Sequence, residues 1–223
     1  MARLTLIDAF ARLIGYGIFA GSIFTKLPQV SSIMSARSVL GLSEATLFIE
    51  WVGYCQTAYY SILMGYPFSA WGEQLVVATS CTALLALFLC FAEGLDLRPR
   101  MALILFWVAI SAWTLAEGAR YPTYVLATGV MPQFLFLVGR VPQVIMNHVQ
   151  GHTGCLSPAT HAMQLLGCLL RLFTTMQVLA GDPVVLLGYI SSGLLNAIIL
   201  FQIRRYRRVT GLLLDKAASQ KGP

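Results

Sequence analysis

The feature that most limits what this chain can become is where its charges are missing. Seven apolar stretches, roughly 6–25, 44–64, 71–92, 101–117, 123–146, 158–179 and 183–203, are separated by short breaks. The breaks include "GYP" at Gly65, "EGLDLRPR" at Glu93, "EGARYP" at Glu117 and "GDP" at Gly181, all rich in turn-forming residues. Each stretch is about as long as a helix needs to cross the hydrocarbon of a bilayer, the fourth being the shortest. Charged residues are 11% of the sequence and hydrophobic residues 57%, against about 25% charged in an ordinary soluble domain. In lipid every backbone N–H and C=O must find its partner inside the chain, and a helix does this segment by segment. The sequence therefore predicts an all-α polytopic membrane protein with seven transmembrane helices. No linker or low-complexity stretch divides it, so residues 1–223 are read as one membrane domain.

The net charge of +6 is not a nucleic-acid signal. Much of the excess is "RRYRR", Arg204–Arg208, directly after the last apolar stretch, where cytosolic anchoring charges sit. It lacks the interleaved aromatics of a single-strand binder apart from Tyr206. Seven crossings put the two ends on opposite sides. The basic tail, 204–223, together with Arg37, Arg98 and Arg100, outweighs Arg3, Arg12 and Arg120 on the other side. That bias predicts a cytosolic C-terminus and a lumenal or external N-terminus. The five cysteines form no C-x-x-C and no ligand spacing, so small buried apolar roles are expected, with no metal and no cofactor. His148 and His152, followed by Cys155, read as a solvated loop. No nucleophile elbow, phosphate loop or dinucleotide fingerprint is present, so no catalytic residue is assigned and an enzyme is not expected.

The chain also repeats itself. "TKLPQVSSIMSARSVLGLS" from Thr25 returns as "GRVPQVIMNHVQGHTGCLS" from Gly139, with Pro28 and Pro142 separated by 114 residues. The same offset pairs Lys26 with Arg140, Gln29 with Gln143, Ser43 with Ser157, Thr46 with Thr160 and Gly53 with Gly167. Each unit contains three spans, 6–92 and 123–203, with the linker span 101–117 between them. An odd linker gives both triplets the same orientation, a parallel 3+1+3 repeat with a substrate site expected near the midplane between the halves.

Proline inside a helix frees an upstream carbonyl, here expected to be that of Phe24 for Pro28 and of Val138 for Pro142, and it offers a hinge. The neighbouring Gln29 and Gln143 can donate to such a carbonyl or to a substrate. A third pair, "MPQ" at Met131, lacks the basic residue and the downstream L-S-x-A-T and is read as incidental or as an extra bend. Charges inside spans are expensive and face the bundle interior. Snorkelling near helix ends explains Lys26, Arg140 and Glu73 more simply than it explains Glu50 and Arg171, which sit deeper in their spans. Glu50 and Arg171 are therefore expected to balance each other across the cavity, or Arg171 to meet an anion. Lys26, Arg140 and Arg171 together are candidate donors to a phosphate, with internal ion pairing as the competing reading.

These strings resemble the PQ-loop repeat superfamily. Within it, "KLPQV", "ARSVLGLS", "PFSAWGE" (Pro67–Glu73), "GRVPQV", "GHTGCLS" (Gly151–Ser157) and "RLFTTMQ" followed by "GDP" are similar to the mannose-P-dolichol utilization defect 1 protein family over roughly 15–203. The resemblance implies an endoplasmic-reticulum membrane factor that is not a glycosyltransferase. It implies use of dolichol-phosphate mannose and glucose in N-glycan precursor, GPI-anchor and related assembly, and the expected role is to handle or present the lipid-linked sugar. Dolichol-phosphate sugars or other anionic lipids are then the expected partners, with membrane glycosyltransferases beside them. Lys26, Pro28, Gln29, Arg140, Pro142 and Gln143 match the family's paired motifs, and Glu50, Glu73 and Arg171 its intramembrane charges. The alternative within the superfamily is a carrier for a small sugar or amino acid, coupled to protons through Glu50 or Glu73.

Overall fold

The computed structural model describes residues 6–37, 39, 43–91, 96–153 and 156–219. The break expected at Glu93, and the residues Arg3, Cys155 and Lys221, lie outside these. Among the described residues every long element is a helix: α1 (Leu6–Ser22), α2 (Leu27–Ala36), α3 (Glu44–Leu63), α4 (Phe68–Phe91), α5 (Leu97–Glu117), α6 (Pro122–Gln150), α7 (Pro158–Val178) and α8 (Pro183–Ser219). Five segments are long and apolar enough to cross a membrane: 6–35 (α1 with α2), α4, 97–120, α6 and α8 up to Leu212. The other two, α3 and α7, have 20 and 21 residues and span length. Their hydropathy is lowered by Glu44, Glu50 and Gln56 in one and by His161, Gln164 and Arg171 in the other. They are repeat equivalents, and of these polar positions Gln56 and Arg171 are buried.

The repeat is visible helix by helix. Its offset carries α3 onto α7, α4 onto the start of α8, and α1 with α2 onto α6. The recurring L-S-x-A-T string is a helix start. Ser43 and Ser157 adopt extended backbone, and each hydroxyl accepts from the amide three residues on, Thr46 and Thr160, at 3.3 Å in both. Such a cap satisfies one of the orphan donors at a helix N-terminus. Ser43→Ala and Ser157→Ala are each expected to lower stability by about 1 kcal/mol, nearly additively because the two caps share no partner. Thermal unfolding in detergent of both single variants and the double checks this.

The six repeat helices close into a ring. Within the first repeat α4 lies between α1 and α3; within the second α8 lies between α6 and α7. The halves meet twice, α1 against α7 and α3 against α6, which is one interface repeated by a pseudo-two-fold axis. The linker α5 stands outside the ring against α3, where Arg100 grips both carboxylate oxygens of Glu44 through Nε (2.7 Å) and Nη2 (2.8 Å). α1 approaches α4 so closely that a Cβ at Gly15 would collide with the Ser69 carbonyl. Below, the N-face is the side where α1, α4, α6 and α8 begin; the C-face is where α3, α5 and α7 begin.

Several sequence expectations are corrected. The segment 6–25 does not end at residue 25: after a turn at 23–26 the chain enters α2, with Pro28 in its first turn. Pro28 therefore frees no helical carbonyl of Phe24, because a first-turn amide has no intrahelical acceptor to lose. Pro142 does lie inside α6, as does Pro132. α5 is 21 residues long and no shorter than its neighbours need to be. His148 belongs to the last turn of α6 rather than to a loop. α8 continues well past residue 203, to Ser219, carrying Arg204–Arg208 on a helix.

The two repeats differ where they pack. In the first, Ile33 and Phe88 belong to an apolar cluster with Leu47 and Leu84. Their equivalents at the repeat offset are Asn147 and Gln202, which bond each other at 3.0 Å, while Gln202 also donates to the Val144 carbonyl at 2.9 Å. The same helix contact is thus closed once by burial and once by paired amides, and buried amides must pair.

Candidate functional site

A cavity of about 520 Å³ lies on the pseudo-axis, lined by residues of α1, α3, α4, α6, α7 and α8 and none of α5. That is within the roughly 300–1,000 Å³ range of small-molecule sites. Its polar wall includes Glu73, Gln74, Gln133, Arg140, Gln164 and Arg171. The expected residues divide accordingly. Arg140, Arg171 and Glu73 reach the cavity, while Lys26 and Glu50 form an ion pair of 2.7 Å that is not part of its lining. Gln29 is half-buried on α2 and away from the wall. Gln143 donates to Asn147 at 2.9 Å and serves the amide contact of the second repeat. Neither Pro28 nor Pro142 lines the cavity.

The charge pairing differs from expectation. Glu50 does not face Arg171; it neutralises Lys26 within the first repeat. The ion pair between repeats is Glu73 of α4 with Arg171 of α7. Glu73 does not snorkel: it is 8% exposed, and Arg171 is 3% exposed. Arg171 uses Nη2 on Glu73 and Nη1 on the Ser69 carbonyl at 3.2 Å, and Tyr189 of α8 donates to the second Glu73 oxygen at 3.5 Å.

Two more helix ends complete a lock at the N-face. The turn before α8 places Ala180 and Gly181 in the left-handed region, with φ of 50° and 75°. It brings Asp182 to the head of α8, where Oδ1 accepts from the Val185 amide at 2.8 Å. Asp182 Oδ2 then accepts from Tyr60 of α3 at 2.9 Å and from Tyr66 of the α3–α4 link at 2.6 Å. Burial, then Asp182, pushes the Tyr66 phenol above its ordinary range, so it remains a neutral donor. Side-chain hydrogen bonds that join one repeat to the other include those of Arg171, Glu73, Tyr189, Tyr60, Tyr66 and Asp182. All lie toward the N-face. Toward the C-face, Lys26–Glu50, Arg140–Ser192, Gln143–Asn147–Gln202, His161–Asn196 and Thr153–Thr210 each stay within one repeat.

Sequence reading missed Asp182, Tyr60 and Tyr66, because "GDP" and "GYP" look like ordinary turns. It also set aside Gln133, whose "MPQ" departs from the repeat, although Gln133 reaches the cavity and packs on Gly188. The signal available was an acid beside a proline at a span boundary, where an N-cap is needed anyway.

Two parallel three-helix units, a linker helix outside them and a polar cavity on their axis define a repeat-built polytopic membrane protein. A PQ loop repeat family model matches residues 10–70 and 126–181, together more than half of the sequence, and the chain belongs to the PQ-loop repeat family. The chain is also similar to the human protein solute carrier family 66 member 3. Identity is 25% over 187 residues, covering 82% of this chain and 87% of that one.

Proposed function

We propose that the chain is a non-enzymatic membrane carrier whose cargo has an anionic group and hydroxyls, held in the central cavity at Arg140. One observation carries this. In the first repeat the basic residue before the proline, Lys26, is neutralised by Glu50; in the second, the equivalent of Glu50 is Gln164. Arg140 therefore faces the cavity bonded to a neutral hydroxyl, Ser192 Oγ at 2.7 Å, with no described carboxylate paired to it. An uncompensated cation on a cavity wall at membrane depth favours an anionic ligand. Gln74, Gln133 and Gln164 provide both donors and acceptors for hydroxyls beside it. The N-face lock and the separable C-face support rocking of the two repeats about this site.

Within that class we assign dolichol-phosphate-linked mannose and glucose as the cargo, on the support of "PFSAWGE" and "GHTGCLS". The chain then acts in the endoplasmic-reticulum membrane with its C-terminus cytosolic, next to the glycosyltransferases that consume these lipids. A deletion strain is expected to accumulate truncated dolichol-linked oligosaccharides and to lose GPI anchors. The wild-type gene should restore both, and Arg140→Ala should not. Normal lipid-linked oligosaccharides and anchors in the deletion strain would rule this cargo out.

A second reading is a carrier for a small water-soluble sugar or amino acid. It is favoured by the ring that encloses the cavity on all sides by helices, and by the name of the human relative. Proton-driven uptake of such a solute into proteoliposomes, lost in Glu73→Gln, supports it over the lipid-linked cargo.

A further inference from the structure

We propose that Glu73 is an exchangeable stand-in for the cargo's anionic group on Arg171, so that binding the anion and releasing the N-face lock are one event. This rests on the carrier reading and names how its site works.

The geometry of two arginines carries the argument. A guanidinium offers Nε–H and one Nη–H as a flat fork that fits two oxygens of one anion. Arg100 shows the fork filled: Nε and Nη2 both hold Glu44. Arg171 shows it half used. Nη2 holds one oxygen of Glu73, and the buried Nε has no partner. The other Glu73 oxygen is turned to Gln74, at 3.3 Å, and Tyr189, at 3.5 Å. A donor buried without an acceptor is a standing penalty that a two-oxygen anion removes. Arg171 and Glu73 both line the cavity that Arg140 faces, so such an anion has access.

The resting Arg171–Glu73 pair is neutral, and Arg140 keeps its own positive charge beside it, so the proton follows from Glu73 losing the cation it touches. When a monoanion takes the fork of Arg171, Glu73 is left without its cation in a place where water is scarce, and a carboxylate there neutralises by taking a proton. One anion therefore enters with one proton, which ends on Glu73 between Gln74 and Tyr189. Among the described residues, Arg171 is the cation paired with Glu73, and the other groups that face it do not take that place. α3 presents Tyr54, α7 presents Cys168 beside Arg171, α8 presents Tyr189, and α6 presents Arg140, which donates to Ser192. α1 brings Ile18, Gly21, Ser22 and Thr25 to the wall, and Lys26, between α1 and α2, is held by Glu50. Because Glu73 belongs to the first repeat and Arg171 to the second, the exchange also cuts an ionic tie between the halves.

Titration calorimetry on the full chain in lipid nanodiscs tests this with two phosphodiesters, mannosyl citronellyl phosphate in the bilayer and mannosyl methyl phosphate in solution. Both keep one fixed negative charge from pH 5.5 to 7.5, so any proton taken up comes to the protein. In buffers of different ionisation heat, the wild type is expected to bind with about one proton taken up. Its affinity should weaken roughly tenfold per pH unit across that range. Glu73→Gln, which keeps size and hydrogen bonding, is expected to bind at least as tightly at pH 7.5 with no proton uptake. Arg171→Lys, which keeps the charge but loses the fork, is expected to bind at least tenfold more weakly. Binding that depends on Arg140 but takes up no proton, or proton uptake that persists in Glu73→Gln, overturns the exchange and leaves the carrier reading standing. If neither phosphodiester binds the wild type, the anionic-cargo reading falls and the exchange with it. Binding of the citronellyl compound alone assigns the anion to a lipid, and binding of the methyl compound alone to a free solute; either supports the exchange when the proton is taken up.

Discussion

Arg171→Gln is expected to destabilise the folded protein by about 3–5 kcal/mol, because it leaves the Glu73 carboxylate buried without its cation. Ion pairs at surfaces are worth little, but here both side chains are enclosed, at 4% and 10% exposure. The loss extends beyond the pair. Arg171 also donates to the Ser69 carbonyl, and Ser69 is the residue on which α1 rests at Gly15. One guanidinium therefore ties α7 to α4 at the point where α1 meets both. The double variant Glu73→Gln with Arg171→Gln is expected to recover much of the loss, since two neutral amides remove the uncompensated charge. Reversible unfolding in bicelles of both singles and the double measures the coupling, which should exceed about 1.5 kcal/mol. Additive losses would mean that the two residues do not act as a pair.

Asp182→Ala is expected to unlatch the N-face. Asp182 accepts from Tyr60, Tyr66 and the Val185 amide, and it joins the head of α8 to α3 and the α3–α4 link. Hydrogen bonds to a charged acceptor contribute about 1.5–3 kcal/mol each. Removing about 3 kcal/mol from the closed side of a two-state equilibrium raises the open fraction roughly a hundredfold. Cys168 lines the cavity and is buried, so it serves as a reporter once the other cysteines are replaced by alanine. A membrane-impermeant maleimide applied from the N-face should label Cys168 far faster in Asp182→Ala than in the parent. Asp182→Asn keeps the acceptor oxygen and should fall between them. Equal labelling in all three would show that the tyrosine–aspartate contacts do not hold that face shut.

The architecture was legible because its causes are local. Seven apolar stretches of bilayer length dictate helices, since no other element satisfies its own backbone in lipid. The offset of 114 residues is carried by strings with local jobs, above all the serine caps at Ser43 and Ser157. The proline of the first repeat was harder to place. One proline reads the same in a first turn and mid-helix, and only the turn at 23–26 shows that Pro28 opens α2 whereas Pro142 lies within α6.

The site was legible in residue types and not in pairings. The sequence picked out Lys26, Glu50, Glu73, Arg140 and Arg171 because a charge in a span must face protein. Which charge meets which depends on how six helices are ordered around an axis. With α4 between α1 and α3, Glu50 meets Lys26 and Glu73 meets Arg171. The sequence by itself determined the helices, their duplication and the candidate charges, since hydropathy, capping and repetition act along the chain. Only the tertiary structure decided that, among the described residues, Arg140 stands without an acid and the hydrogen bonds between repeats gather toward one face. Both follow from substitutions between equivalent positions, such as Glu50 by Gln164, whose consequence appears when the two repeats share one cavity.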